Sequence, residues 1–176
     1  MSDRRRFSRV CALLLGAAAL VPANPVRAVP GVPFLRGYQL INVHSGKCLA
    51  IAGAGTADGE AAVQSSCREE RAHLWRLRMV SPTGLFQVQN LKSGRCLSVD
   101  GGDGRTVQRQ CDGNRSRRWR VTAAEATGLV IRSAVSGRCL TVAGGSRREN
   151  AAAVLSTCAP AASRRWNARL IGRTER

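Results

Sequence analysis

The side chains able to do chemistry in this 176-residue chain are seven cysteines, two histidines and a large excess of arginine. Cys48, Cys67, Cys96, Cys111, Cys139 and Cys158 lie downstream of a segment that holds the seventh, Cys11. None of the six forms a Cys-x-x-Cys pair, and His44 and His73 are the only imidazoles. A zinc centre or a thiol redox site therefore loses ground to structural disulfides. Neither histidine has a cysteine or serine partner in a recognisable motif. Gly-x-Ser-x-Gly, paired carboxylates and a metal cluster are all missing from the sequence. The residues imply a non-catalytic protein with no cofactor and no bound metal.

The N-terminal 28 residues read as a cleaved export signal. Arg4, Arg5, Arg6 and Arg9 precede the apolar run Val10–Val21, Pro22 and Pro25 follow, and Val26 and Ala28 offer a peptidase site. The run is well short of the roughly 20 residues that span a bilayer. Segment 29–35 reads as a short linker, 36–172 as one domain, and 173–176 as a tail. Removing residues 1–28 takes away Cys11, five arginines and Asp3, leaving six cysteines and 23 basic against 10 acidic residues, a net charge of +13. Such a field attracts anionic polymers. Lys47 and Lys92 are the only lysines, and an arginine bias of this kind is also what a GC-rich coding sequence leaves on a solvated surface.

The cysteines belong to an internal repeat. Ser45-Gly46-Lys47-Cys48-Leu49, Ser93-Gly94-Arg95-Cys96-Leu97 and Ser136-Gly137-Arg138-Cys139-Leu140 are three copies of one motif. A second cysteine follows after 19, 15 and 19 positions, and eight positions beyond it stands Trp75, Trp119 or Trp166. Six cysteines allow fifteen pairings. If each copy closes on itself, the bonds are Cys48–Cys67, Cys96–Cys111 and Cys139–Cys158, each worth about 3 kcal/mol in the chain-entropy account.

Within each copy the apolar residues alternate as half-buried strands require. Tyr38 and Leu40, Phe86 and Val88, or Leu129 and Ile131 precede the Ser-Gly turn, and Leu49 and Ile51, Leu97 and Val99, or Leu140 and Val142 follow it. Third strands centre on Val63, Val107 and Val154. Fourth strands carry the tryptophan in phase with Leu77, with Val121, or with Ala168 and Leu170. Asp58-Gly59, Asp103-Gly104 and Glu149-Asn150 supply the turn positions that need φ > 0. Roughly twelve strands in three copies, each too small to bury its own apolar face, imply an all-β, pseudo-threefold β-trefoil. A five- or six-stranded barrel with accidental repetition is the plainer alternative. The three tryptophans read as core pillars.

The pattern Gly-Lys/Arg-Cys-Leu, a turn, Val, Cys and a terminal Trp resembles the ricin-B-type lectin repeat over about residues 36–172. That resemblance implies up to three shallow carbohydrate sites, each built from a carboxylate, a stacking aromatic and an Asn or Gln. The carboxylate position is Ala50, Ser98 and Thr141 here, and the aromatic position is Ser65, Arg109 and Ser156. The Asn position is Ala72, Ser116 and Ser163, and the Gln before the tryptophan is His73, Arg117 and Arg164. The usual ligands are thus replaced in every copy. The middle copy keeps Asp100, Asp103, Gln108 and Arg109 around the expected site, although Asp103 is also a turn residue and Asp100 a strand-end residue.

The expected partner of this secreted, monomeric module is a glycan. An anionic polysaccharide suits the clusters Arg68/Arg71, Arg115/Arg117/Arg118 and Arg164/Arg165 best, since guanidinium binds carboxylate and phosphate through paired bonds. The competing expectation is a protein partner, as in protease-inhibitor-like trefoils, met by the loops 54–62 and 144–153. Nucleic acid has the charge in its favour but lacks an interleaved aromatic platform.

Overall fold

The computed structural model describes residues 37–125 and 127–172. The expected leader 1–28, linker 29–35 and tail 173–176 lie outside the described residues. Strands β1 (Gly37–Asn42), β2 (Cys48–Ile51), β3 (Ala62–Ser65) and β4 (Trp75–Ser81) form the first repeat. The second holds β5 (Leu85–Asn90), β6 (Cys96–Asp100), β7 (Arg105–Arg109) and β8 (Trp119–Ala123). The third holds β9 (Leu129–Ser133), β10 (Cys139–Val142), β11 (Ala153–Ser156) and β12 (Trp166–Ile171). A short 3-10 turn precedes each tryptophan, at Arg71–His73, Arg115–Arg117 and Ala162–Arg164.

The repeated motif builds the same turn three times. Gly46, Gly94 and Gly137 each take φ of 70°, a left-handed value that glycine adopts without a Cβ penalty. Each donates its N–H to the carbonyl of Asn42, Asn90 or Ser133 at 2.9 Å. The serine hydroxyl of each motif accepts the N–H of Lys47, Arg95 or Arg138 at 3.1 to 3.4 Å. The next residue, the cysteine, then starts a buried strand. Cys48–Cys67, Cys96–Cys111 and Cys139–Cys158 are bonded, with Cα separations of 5.0, 5.0 and 5.1 Å, so each copy closes on itself. Gly59, Gly104 and Asn150 take the positive φ expected of the hairpin turns.

Six strands close into a barrel through the antiparallel pairs β1–β4, β4–β5, β5–β8, β8–β9, β9–β12 and β12–β1. The hairpins β2–β3, β6–β7 and β10–β11 cap one end. They meet one another through Val154 against Arg105, Ala61 against Val107 and Val63 against Ala152. Leu40, Leu49, Val88, Leu97, Ile131, Leu140 and the three tryptophans share one core. Each indole N–H donates to a carbonyl of its own repeat's cap hairpin, Trp75 to Leu49, Trp119 to Leu97 and Trp166 to Leu140, at 2.8, 2.9 and 3.0 Å.

The alternation stops predicting burial at the far ends of two tryptophan strands, at Met79 of β4, 61% exposed, and in β12. Ala168 and Leu170 keep phase with Trp166 yet stay exposed, Leu170 at 57%. Trp166 pairs with buried Asn42 beside the cap, whereas Leu170 pairs with Tyr38, only partly buried at the core's edge, toward the opposite end of the barrel. Replacing Trp119 by Ala removes a fully buried ring and leaves the Leu97 carbonyl unpaired. Urea denaturation should show a loss of about 3–5 kcal/mol relative to the native sequence.

Candidate functional site

Each cap hairpin faces the 3-10 turn of its own repeat, and the cleft between them gathers the four positions singled out in sequence. In the first repeat Ser65 Oγ and His73 Nε2 are 2.8 Å apart, beside buried Ala50 and Ala72. In the second, Ser98 Oγ lies 3.2 Å from Ser116 Oγ. Arg117 Nη1 bonds Ser116 Oγ at 3.5 Å and meets the Asp112 carboxylate at 3.2 Å. In the third, Thr141 Oγ1 donates to the Ser163 carbonyl at 2.8 Å, and Arg164 Nε donates to Ser156 Oγ at 3.0 Å.

Strand pairing sorts the middle-repeat candidates. Opposite residues of an antiparallel pair share a face, and neighbours along a strand do not. Cys96 faces Arg109, Ser98 faces Val107, and Asp100 faces Arg105. Asp100, Arg105 and Arg109 therefore stand on the cleft side with Ser98. Arg109 Nη2 donates to Asp100 Oδ1 at 2.9 Å, and Arg105 lies 3.8 Å from Asp100 and 2.9 Å from Asp103. The Asp100 and Arg109 side chains are 30% and 37% exposed, within reach of a ligand.

Gln108 faces the other way and is fully buried. Its Nε2 donates to the Gly55 and Ala57 carbonyls and to Glu60 Oε2, and its Oε1 accepts the Ser93 hydroxyl. It clamps the loop of the preceding repeat. Adjacent positions on one strand cannot serve one cleft, and this parity was the signal in the sequence for parting Gln108 from Arg109. Arg105, which joins Asp100 to Asp103, is a member that the sequence reading missed; its pairing partner depends on the hairpin register.

Elsewhere the clustered arginines are mostly engaged. Arg71 donates twice to the Leu91 carbonyl, at 3.1 and 2.8 Å, and Arg165 donates to Thr127. The tryptophans are fully buried, so no indole face is offered to a sugar. Among the described residues no group of three or more His, Cys, Asp or Glu side chains could hold a metal ion, and no helix is long and apolar enough to cross a membrane.

The two long loops are tied down as well. Gln64 Nε2 donates to the Ser146 and Arg148 carbonyls, both at 2.8 Å. Glu149 accepts from Lys47 Nζ and from the Ser66 N–H, both at 2.7 Å, so the loop of the third repeat is fastened to the first. These hydrogen bonds push the Glu149 carboxyl down to about 2. Burial pushes the His73 imidazole below its ordinary value, with Glu70 opposing.

A six-stranded barrel capped by three hairpins in threefold array defines a β-trefoil. The family model for the ricin-type β-trefoil lectin domain matches residues 36–166, and the chain belongs to that family. Similar solved structures include the designed threefold-symmetric protein ThreeFoil, with a TM-score of 0.70 and 26% identity over 74% of this chain and 96% of that one. The Rhizoctonia solani agglutinin has a TM-score of 0.68 and 19% identity over 83% of this chain and all of its own. An exo-β-1,3-galactanase from Clostridium thermocellum has a TM-score of 0.73 and 24% identity over 80% of this chain, which spans only 31% of the enzyme. No curated protein gives a significant match.

The two displaced pKa values act in the same direction. A group whose pKa is lower in the folded state lets the unfolded chain take up its proton first as pH falls, so stability is lost on acidification. The thermal midpoint should fall as pH drops below the ordinary imidazole value near 6.5, and again between the ordinary carboxylate range and about 2. In a series of midpoints against pH, His73→Gln should flatten the first fall and Glu149→Gln the second.

Proposed function

We propose that this chain is a secreted, monomeric, non-catalytic carbohydrate-binding module. Its sugar clefts have lost the usual carboxylate and aromatic, and acidic glycans are its favoured ligands. The observation that carries the reading is the middle-repeat cleft. There the accepting oxygens of Asp100 stand beside the donors of Arg109, both part-exposed, while Ser98 on the same face is buried. A sugar presents adjacent hydroxyls that both donate and accept, and this mixed set answers them without a stacked ring. Family membership supports the carbohydrate class. The net charge of +13 left once residues 1–28 are removed supports the acidic preference. Three disulfides and the arginine-flanked apolar N-terminal segment support export.

The protein-partner alternative depends on the loops 54–62 and 144–153. Their polar groups are largely engaged with neighbouring repeats, through Gln108 and Arg95 for the first and Gln64 and Lys47 for the second. A glycan array carrying neutral, sulfated and uronic-acid glycans, read at low and physiological salt, should show binding to acidic glycans that weakens steeply with salt. Asp100→Asn should lower affinity for the best glycan about tenfold, the loss expected for a charge-assisted hydrogen bond. Silence on every glycan would overturn the reading.

A further inference from the structure

The threefold symmetry breaks at one of the three junctions between repeats. Val43, Leu91 and Ala134 are equivalent, because each donates its N–H at 2.9 Å to the carbonyl of the residue before a tryptophan, Arg165, Leu74 and Arg118 respectively. At the junction of the first and second repeats the space is full. A Cβ on Gly37 would meet Leu91 Cδ1 at 2.6 Å and Leu74 Cβ at 3.1 Å, and Asn90 Nδ2 reaches across to the Ala72 carbonyl. Where the third repeat meets the first, Asn42 Nδ2 bridges to the Ser163 carbonyl at 2.8 Å, and a Cβ on Gly128 would meet the Trp166 carbonyl oxygen at 2.8 Å.

At the junction of the second and third repeats each filler is replaced. Ser133 stands for the bridging asparagine, and its hydroxyl accepts the Val135 N–H at 3.2 Å, within its own turn. Ala134 stands for the aliphatic plug, and Arg118, as Arg165 does at the third junction, for Leu74. The result is a cavity of about 260 Å³ lined by Arg115, Arg118, Arg120 and Arg132, with Ser133 at its wall. Carbonyls brace two of the guanidinium groups, Gly113 for Arg118 at 2.8 Å and Thr83 for Arg120 at 3.2 Å. None of the ion pairs among the described residues involves any of the four.

Four arginines lining one concavity bring like charges together, a repulsion that a multivalent anion relieves. Their paired donors match oxyanions, and four forks offer more donors than a two-oxygen carboxylate can accept. A sulfate or phosphate ester presents three free oxygens. The pocket has no aromatic ring on which a base would stack. The 3-10 turn Arg115–Arg117 separates this pocket, reached by Arg115, from the cleft, reached by Ser116.

We propose that this junction is an oxyanion pocket, separate from the family's sugar clefts, that takes a sulfate or phosphate ester carried on a glycan. The glycan carrier rests on the carbohydrate reading above; the oxyanion does not. The test is calorimetric titration of the full chain with a sulfated heparin-derived tetrasaccharide, its desulfated counterpart, a phosphorylated oligosaccharide and a single-stranded oligonucleotide. Arg115→Gln/Arg132→Gln is compared with Arg147→Gln/Arg148→Gln, which removes the same charge elsewhere, with circular dichroism to confirm folding. The first pair should weaken binding of a charged oligosaccharide by about tenfold or more, the control pair by less than about twofold, and the desulfated sugar should respond to neither. Equal losses in both pairs would reduce the effect to net charge and overturn the pocket. Unchanged binding in Arg115→Gln/Arg132→Gln, with loss in Asp100→Asn, would overturn the pocket and leave the carbohydrate reading standing. Oligonucleotide binding tighter than either charged glycan, and lost in the first pair, would overturn the glycan carrier.

Discussion

The bond from each indole N–H to the leucine carbonyl of its own repeat is the constraint on which the rest hangs. It ties a barrel strand to a cap hairpin inside the core, where an unpaired donor or acceptor would cost about 1–3 kcal/mol. Trp75, Trp119 and Trp166 have no exposed surface, so each fixes the distance between barrel and cap from within. The disulfides close the same hairpins, each from a buried cysteine, and limit the unfolded chain. The clefts are a by-product of this arrangement, since the 3-10 turn that delivers each tryptophan is also the wall of its repeat's cleft.

Cooperation between repeats comes from a second set of contacts. Gln108 holds the loop of the first repeat, and Gln64 holds the loop of the third. The second repeat, with a shorter turn at Gly101–Gly104, meets the third without a glutamine clamp: Leu155 N–H donates to the Gly104 carbonyl and the Thr106 hydroxyl to that of Ala153. Leu155 stands where the other repeats carry glutamine, because no long loop arrives there to be clamped. Each repeat thus fastens to the next, and the chain of attachments closes on itself.

The scaffold was legible in sequence because its signals are local and repeated. The Ser-Gly turn, the cysteine pair and the tryptophan recur at fixed spacing, and Asn150 takes the left-handed conformation that its place beside Asp58-Gly59 and Asp103-Gly104 implied. The clefts were legible in part. The family positions do converge, but Gln108 was grouped with Arg109 although adjacent strand residues face opposite sides. Leu170 followed the alternation and stayed exposed, since phase fixes the direction of a side chain and says nothing of where the core ends. The arginine pocket was beyond linear reading. Arg115, Arg118, Arg120 and Arg132 come from two repeats, and the cavity exists because Ser133 and Ala134 are small where their counterparts are large.

The pairing of β1 with β12 runs from Gly37 against Ile171 to Asn42 against Trp166. Entry and exit of the folded chain are therefore neighbours, at the end of the barrel away from the cap. Topologically the molecule is a ring with a nick, and the nick is only one of three equivalent places to put it. Opening the ring instead at the Gly84 turn, with a short joint from Ile171 to Gly37, would preserve every strand pair. Which repeat is written first is a property of the gene and not of the fold.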